Sequence, residues 1–244
     1  MPRLASPPPL LDFEGEGGHK RRPMAVQVKI CGLTSADAAD AAVRAGADLA
    51  GLVFCPGSPR HLAVAQGAAL ATRLRGRTRI VALLVDPQDD EVASAIAAVN
   101  PDFLQLHGRE TPDRVARLRT RFGRLVIKAM PVAEAADFAS LQAYENVADM
   151  LLFDAKAPPG AGRTGGHGAA FDWQLLRGRI IKRPWLLAGG LDPENVARAI
   201  RAVAAPGVDV SSGVEKSPGV KDPELILAFA AAARSAQFAE APEA

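Results

Sequence analysis

The sequence predicts an α/β fold: one (βα)8 TIM barrel, with eight parallel strands ringed by helices. Three observations carry that prediction. Short apolar runs alternate with Ala-rich helical stretches about eight times, at a spacing of about 25 residues, as in successive βα units. The runs are apolar throughout instead of alternating with polar residues, as in strands covered on both faces by helices. The length of 244 residues is close to the ~250 of one such barrel. An open doubly wound sheet shares the same period. The first run, however, ends in Cys31-Gly32-Leu33-Thr34 and not in a G-x-G-x-x-G dinucleotide turn.

The elements follow in order. Strand one covers residues 26–31, and an Ala-rich helix over 37–45 ends at Gly46. Strand two is 49–54 and its helix 63–75; strand three is 80–85 and its helix 89–99. Strand four is 103–107. Thr111 then caps a helix with Pro112 in its first turn, running to about 121. Strand five is 125–129, its helix 133–143, and strand six 150–153. A Gly-rich loop over 155–170 leads to a short helix near Asp172. Strand seven is 185–188, and Pro193 opens the next helix behind an Asp192 cap. Strand eight is only 208–210, and Pro223 opens the last helix behind Asp222.

The barrel domain therefore spans residues 25–236. Residues 1–24, with three consecutive prolines and Lys20-Arg21-Arg22, read as a disordered tail or as sequence upstream of a start at Met24. That segment has no apolar core of a secretory signal. Residues 237–244 read as a frayed C-terminus.

Composition narrows the partners. With 29 basic and 27 acidic residues the net charge is +2, which gives no field for nucleic acid or a membrane surface. No apolar run approaches the ~18–20 residues of a membrane span. Two cysteines, Cys31 and Cys55, are too few for a disulfide scaffold and fit a reducing, cytoplasmic compartment. The partner expected is a small phosphorylated molecule, with the chain a monomer or homodimer.

In a barrel of this type, chemistry sits at the C-terminal ends of the strands. Polar residues there are Cys31 after strand one, Cys55, Arg60 and His61 after strand two, Gln105 and His107 on strand four, and Asp154 after strand six. Strand seven runs into Gly189-Gly190 and strand eight into Ser211-Ser212-Gly213. The loops after strands seven and eight commonly hold phosphate. Glycines let backbone N–H groups approach an anion, the serines add hydroxyl donors, and Gly213 can open a short helix whose N-terminus favours negative charge. Gly165 and Gly166 in loop six can close over the same ligand. A free cysteine is most often a small buried hydrophobe. For Cys31 to act as a base, nearby positive charge from Arg60 or Lys29 must lower its pKa. Asp154 ends an apolar strand, where an acid is costly unless paired or functional; Lys156 and Arg163 are its candidate structural partners. His167 reads as a solvated loop residue. No His, Cys or carboxylate cluster has metal-ligand spacing, so no metal is expected.

Together these residues form a recognisable set. Lys29-Ile30-Cys31-Gly32-Leu33-Thr34 resembles the opening K-[IV]-C-G-[IL]-[TK] of phosphoribosylanthranilate isomerases. Gly51 to Arg60, Gln105-Leu106-His107-Gly108, Leu152-Phe153-Asp154, Thr164 to Trp173, Ala188 to Val196 and Gly207 to Glu215 resemble further motifs of that family, in the same order. The resemblance implies an Amadori rearrangement in tryptophan biosynthesis, carried out without a cofactor. It implies that Asp154 is the general acid, with a raised pKa, and Cys31 the general base, with a lowered one. Arg60 would hold the anthranilate carboxylate, with Gln105, His107 and Asp209 also lining the substrate site. Gly165, Gly166, Gly189, Gly190, Ser211, Ser212 and Gly213 would hold phosphate. The Pro158–Arg163 stretch before Gly165 departs from the family pattern.

Three other readings compete, and the remotest, a nucleic-acid-binding module, is set aside by the balanced charge and the lack of a basic stripe. Another phosphate-binding barrel enzyme, such as an epimerase or indole-glycerol-phosphate synthase, shares the fold. An epimerase would need paired acids or a metal cluster at the strand ends, and none is visible. A non-catalytic metabolite-binding barrel would be expected to lack Cys31 or Asp154, and both are present.

Overall fold

The computed structural model describes residues 26–156 and 171–236. Both termini, and the loop carrying Gly165, Gly166 and His167, lie outside those residues. Eight parallel strands close into a barrel in sequence order. They are β1 (Gln27–Cys31), β2 (Leu49–Val53), β3 (Arg79–Leu84), β4 (Phe103–Leu106), β5 (Leu125–Val132), β6 (Met150–Ala155), β7 (Trp185–Leu187) and β8 (Gly207–Val210). Closure is made by β1 against β8, with Lys29 opposite Asp209. The helices are α1 (Ala36–Arg44), α2 (Val64–Leu74), α3 (Asp89–Val99), α4 (Pro112–Phe122), α5 (Leu141–Glu145), α6 (Val196–Val203) and α7 (Pro223–Ser235). A short hairpin, β9 (Glu215–Ser217) with β10 (Val220–Lys221), follows β8. Among the described residues, no helix is long and apolar enough to cross a membrane.

The uniform apolarity of the strands conceals a strict alternation. Successive side chains along a strand point to opposite faces. Leu49, Val81, Phe103, Ile127, Met150, Leu152 and Leu186 fill the barrel interior. Ile30, Leu52, Ala82, Leu104, Val126, Phe153 and Val208 face the helices. Both sets are buried, so both had to be apolar.

The strand starts are fastened by a repeated device. Asp48, Asp102 and Asp149 each stand just before β2, β4 or β6. Their carboxylates accept from the amides of Val28, Ile80 and Val126, at 2.8, 2.7 and 2.9 Å. Each therefore satisfies an amide on the preceding odd-numbered strand and joins strands in pairs.

Three of the expected elements differ in the structure. Strand five runs on to Val132, because β6 extends to Ala155 and keeps pairing with it. The expected helix over 133–143 is displaced: a 3-10 turn (Ala135–Ser140) precedes the one-turn α5. The helix expected to open at Pro193 begins at Val196. Asp192 accepts instead from the amides of Glu194 and Asn195, both at 2.8 Å, which closes a turn ahead of the helix. The Thr111 and Asp222 caps stand where the sequence placed them.

Leu152 is fully buried inside the barrel. Its replacement in Leu152→Ala is expected to cost about 2–5 kcal/mol, read as a fall in the urea midpoint at unchanged slope. A loss under about 1 kcal/mol would mean that the interior collapses around the deletion.

Candidate active site

Polar residues occupy the C-terminal half of the barrel interior, above the apolar layer. The lowest is Lys29, completely buried on β1. Its Nζ donates to Asp209 Oδ1 of β8 at 2.8 Å. Burial alone would pull this ammonium's pKa down, but the charges of Asp209 and Cys31 outweigh it and the net shift is upward. Lys29 thus points into the barrel, not to the outer face. Asp209, at 7% exposure, is committed to Lys29 below the mouth.

Cys31 ends β1 two residues further on and is 4% exposed. Gly51 on β2 makes room for it, since a Cβ there would lie 2.8 Å from its Sγ. The expected downward shift of the thiol is overturned. Burial disfavours the thiolate more than Lys29 and Lys221 favour it, so its pKa is raised. Cys31 and Cys55 are both free thiols.

Across the mouth, Asp154 stands near the end of β6. Its Oδ1 accepts from the Ala155 amide at 2.8 Å. Its Oδ2 lies 3.3 Å from His107 Nε2. His107 Nδ1 in turn meets Gln105 Nε2 at 2.9 Å. If the amide donates to Nδ1, the ring hydrogen is on Nε2 and faces Asp154; if the amide is turned, Nδ1 carries the hydrogen and Nε2 accepts. Gln105 is completely buried, so it supports His107 from below and does not itself line the ligand site. Its burial is a consequence of an inward position on β4, one turn of the pleat beneath His107. Lys156, a candidate partner for Asp154, pairs with Asp137 at 2.9 Å instead.

Arg60 also departs from expectation. Its Nε and Nη2 donate to Glu215 Oε1 and Oε2 at 2.7 and 2.9 Å. At 6% exposure the guanidinium needs a counter-charge within the folded chain. Among the described residues only its Nη1 edge is without a partner. Glu215 also accepts from Lys221 Nζ at 2.6 Å and from the Gly219 amide at 3.2 Å. Lys221 Nζ donates to the Ser211 carbonyl at 2.9 Å. One buried carboxylate therefore ties the loop after β2 to the segment after β8. Sequence reasoning quoted Glu215 within a motif but gave it no role; its partners lie 155 and 6 residues away.

The strand-seven and strand-eight loops meet beside this network. Gly189 and Gly190 both have positive φ, 83° and 63°. A Cβ on Gly189 would sit 2.7 Å from the Ala155 amide nitrogen and 3.2 Å from Asp154 Oδ1, so only glycine fits there. Ser211, Ser212 and Gly213 are half-buried. Gly213 does not open a helix: it lies inside a three-residue 3-10 turn (Ser212–Val214), and a Cβ added there would collide with the Leu191 carbonyl oxygen. Anion capture here would rest on backbone amides and hydroxyls, not on a helix end. Among the described residues no group of three or more His, Cys, Asp or Glu side chains could hold a metal.

A closed (βα)8 barrel with a thiol, a carboxyl and glycine–serine loops converging on its C-terminal mouth defines the class of acid–base barrel enzymes. The family is fixed by comparison. Residues 28–232 match the model of N-(5'phosphoribosyl)anthranilate (PRA) isomerase, and the chain belongs to that family. It is 52% identical over 219 residues to the N-(5'-phosphoribosyl)anthranilate isomerase of Azorhizobium caulinodans, covering 90% of this chain and 96% of the relative. The crystal structure of phosphoribosyl anthranilate isomerase from Thermotoga maritima superposes with a TM-score of 0.77 at 35% identity, covering 86% and 99% of the two chains. A similar structure, at TM-score 0.74 and 33% identity over 86% and 99%, holds reduced 1-(o-carboxyphenylamino)-1-deoxyribulose 5-phosphate.

Burial pushes the Glu215 carboxyl up, but the Arg60 hydrogen bond and the Lys221 charge more than reverse it, and its pKa is lowered. The folded value lies below the unfolded one. The stabilisation is therefore complete above the unfolded value, about 4.5, and is lost as pH falls through the lower folded value. The urea midpoint is expected to drop in that acidic window, and the drop should shrink in Glu215→Gln. An equal drop in the variant would assign the acid sensitivity to other groups.

Proposed function

We propose that this chain isomerises N-(5'-phosphoribosyl)anthranilate to 1-(o-carboxyphenylamino)-1-deoxyribulose 5-phosphate. One observation carries the reading: a base-type residue, Cys31, and an acid-type residue, Asp154, end strands one and six of the same barrel interior, beside the Gly189 turn. Family membership supports it.

In this reading Asp154 gives a proton to the furanose ring oxygen. The C1'–O bond breaks and the anilino nitrogen becomes a Schiff base cation. Cys31, as thiolate, then takes the C2' proton, leaving an enolamine. Return of a proton to C1' and loss of the enol proton give the ketone. No electrons leave the substrate, so the rearrangement balances on two groups that trade protons.

Each role makes a demand on its neighbours. Asp154 must carry a proton when it meets the ring oxygen. With its acid hydrogen on Oδ2 it would donate to His107 Nε2, and Nδ1–H would then donate to Gln105. The Oε1 atom of Gln105 has no other partner among the described residues, so a turned amide can accept that bond. Cys31 must reach its anionic form, and Lys29 is the fixed cation closest in sequence and on the same strand face. The Nη1 edge of Arg60, without a partner among the described residues, is the edge left for the anthranilate carboxylate, as a charge-assisted contact. Gly189, Gly190, Ser211, Ser212 and Gly213 take the phosphate, with Gly165 and Gly166 assigned there from sequence. The substrate is a small phosphorylated molecule, and the setting is the cytoplasm.

The test is loss of fluorescence of phosphoribosylanthranilate generated in situ. Cys31→Ala and Asp154→Asn are each expected to lower kcat by about 10²-fold or more, the range of one general acid or base. Turnover within about threefold of wild type in either variant would remove that residue from the chemistry.

The raised thiol also fixes the sign of a pH effect. A base works deprotonated, so a raised pKa moves its activity to higher pH. The rising limb of kcat/KM should lie on the alkaline side of an ordinary thiol and coincide with thiolate absorbance of Cys31 in the free enzyme. A rising limb in mildly acidic solution, away from that absorbance change, would assign the limb to another group.

A further inference from the structure

Two buried charges lie outside this site and have no part in the proposed chemistry. Lys128, on β5, faces the helix layer, and its side chain is 3% exposed; that of Glu110, in the loop after β4, is 2% exposed. Lys128 Nζ donates to the carbonyls of Leu106 and Gly108 at 3.2 and 2.8 Å and to Glu110 Oε2 at 2.7 Å. An ammonium has three hydrogens, and all three are used. Glu110 Oε1 accepts from the amides of Asp86 and Gly108, at 2.9 and 3.1 Å. Tyr144 donates its hydroxyl hydrogen to the Glu110 carbonyl at 3.0 Å and lays its ring 5.7 Å from Lys128 Nζ.

The residue enclosed by these bonds is His107. The peptide before it is held at both ends: the His107 amide donates to the Leu84 carbonyl at 2.9 Å, and the Leu106 carbonyl accepts from Lys128. The peptide after it is held by its Gly108 amide on Glu110. The φ and ψ of His107 are thereby fixed from outside the barrel, while its ring points inside, toward Asp154. The His107–Asp154 contact is 3.3 Å, long for a hydrogen bond, so a small rotation of the backbone would break it. Neighbouring strain agrees: Asp86 holds φ +46°, and its carboxylate occupies the space that a side chain on Gly108 would need.

We propose that the Lys128–Glu110 pair is a positioning device for His107, and through His107 for the proton on Asp154. The proposal rests on the reading of Asp154 as general acid. Neither member of the pair touches the substrate site. A neutral pair of the same shape could fill the same space, but it could not satisfy two carbonyls and two amides around a turn as tight as Gly108.

The test is a coupling measurement. Removing Lys128 alone would leave Glu110 buried and unpaired, at risk of unfolding. Glu110→Gln strands the Lys128 charge in the same way, but it is nearly isosteric, keeps an acceptor oxygen for the turn and leaves Lys128 free to shed its proton; it is made beside the doubly neutral Lys128→Met/Glu110→Gln, in which no charge is stranded. Each is made in wild-type and His107→Ala backgrounds. In the wild-type background kcat is expected to fall about 10-fold in the double variant, with KM within about threefold. In the His107→Ala background the same change should cost less than about twofold, because the residue it positions is gone. Equal losses in the two backgrounds, or no loss of kcat in folded enzyme, would overturn the proposal. A second arm needs no substrate. The imidazole resonances of His107, followed by NMR through pH, should shift their midpoint in both pair variants while those of exposed His61 do not. An unmoved His107 midpoint overturns the proposal even if the enzyme loses activity. If wild type fails to isomerise phosphoribosylanthranilate, the functional reading fails, and the NMR arm still decides whether the pair holds His107.

Discussion

A lysine ammonium sealed inside a barrel must meet a counter-charge, and Lys29 meets Asp209 at 2.8 Å. These residues are opposite one another in the β1–β8 register, so the pair spans the seam where the sheet closes on itself. A slip of one residue along that seam would turn one of them outward and leave the other charge buried alone. Breaking a buried pair in that way costs several kcal/mol, ~3–5. The pair is thus a register pin more than a source of net stability. Register then determines the rest. Cys31 stands two residues above Lys29, and the Ser211 turn stands two residues above Asp209. The floor of the candidate site and the closure of the fold are one interaction.

Above that floor, the site is built in levels by the two-residue alternation of the strands. On β4, Phe103 belongs to the apolar layer, Gln105 is buried above it, and His107 reaches the mouth. On β6, Met150 and Leu152 are apolar and Asp154 follows. The polar groups begin above that layer and reach across strands: Lys29 pairs with Asp209, and Gln105 holds His107, which faces Asp154. The opposite end of the barrel is given to stability. There Asp48, Asp102 and Asp149 secure strand starts, and Arg119 adds a bidentate contact to Asp149 at 2.8 and 2.7 Å. The candidate site and the fastening are separated along the strand axis.

Much of this was legible in the sequence because an acid or a thiol at the end of an apolar run has few reasons to be there. Cys31, His107, Asp154 and the Gly189-Gly190 turn could be placed at one mouth once eight strands were counted. The state of the groups was not legible. The thiol is pushed up because its burial depends on Gly51, on a different strand. Arg60 is held by Glu215, 155 residues away, and no local pattern reports that distance. The displaced helix after strand five has the same origin. Its start is set by how far β6 runs, since Val132 continues to pair with Ala155.

Lys128 marks the limit most clearly. In sequence it is one lysine in Leu125-Val126-Ile127-Lys128-Ala129-Met130, and nothing in that run reports a buried partner. In the fold it does not reach water: its side chain is 3% exposed, with the Tyr144 ring of α5 set 5.7 Å from its Nζ. The same alternation that sends Ile127 and Ala129 into the barrel sends Lys128 outward, toward the loop that leaves β4. That loop must turn at Gly108, and a tight turn strips its carbonyls and amides of strand partners. A buried cation and a buried anion supply what the turn has lost. The outer layer therefore does more than cover the barrel: it fixes the backbone from which an interior side chain is aimed.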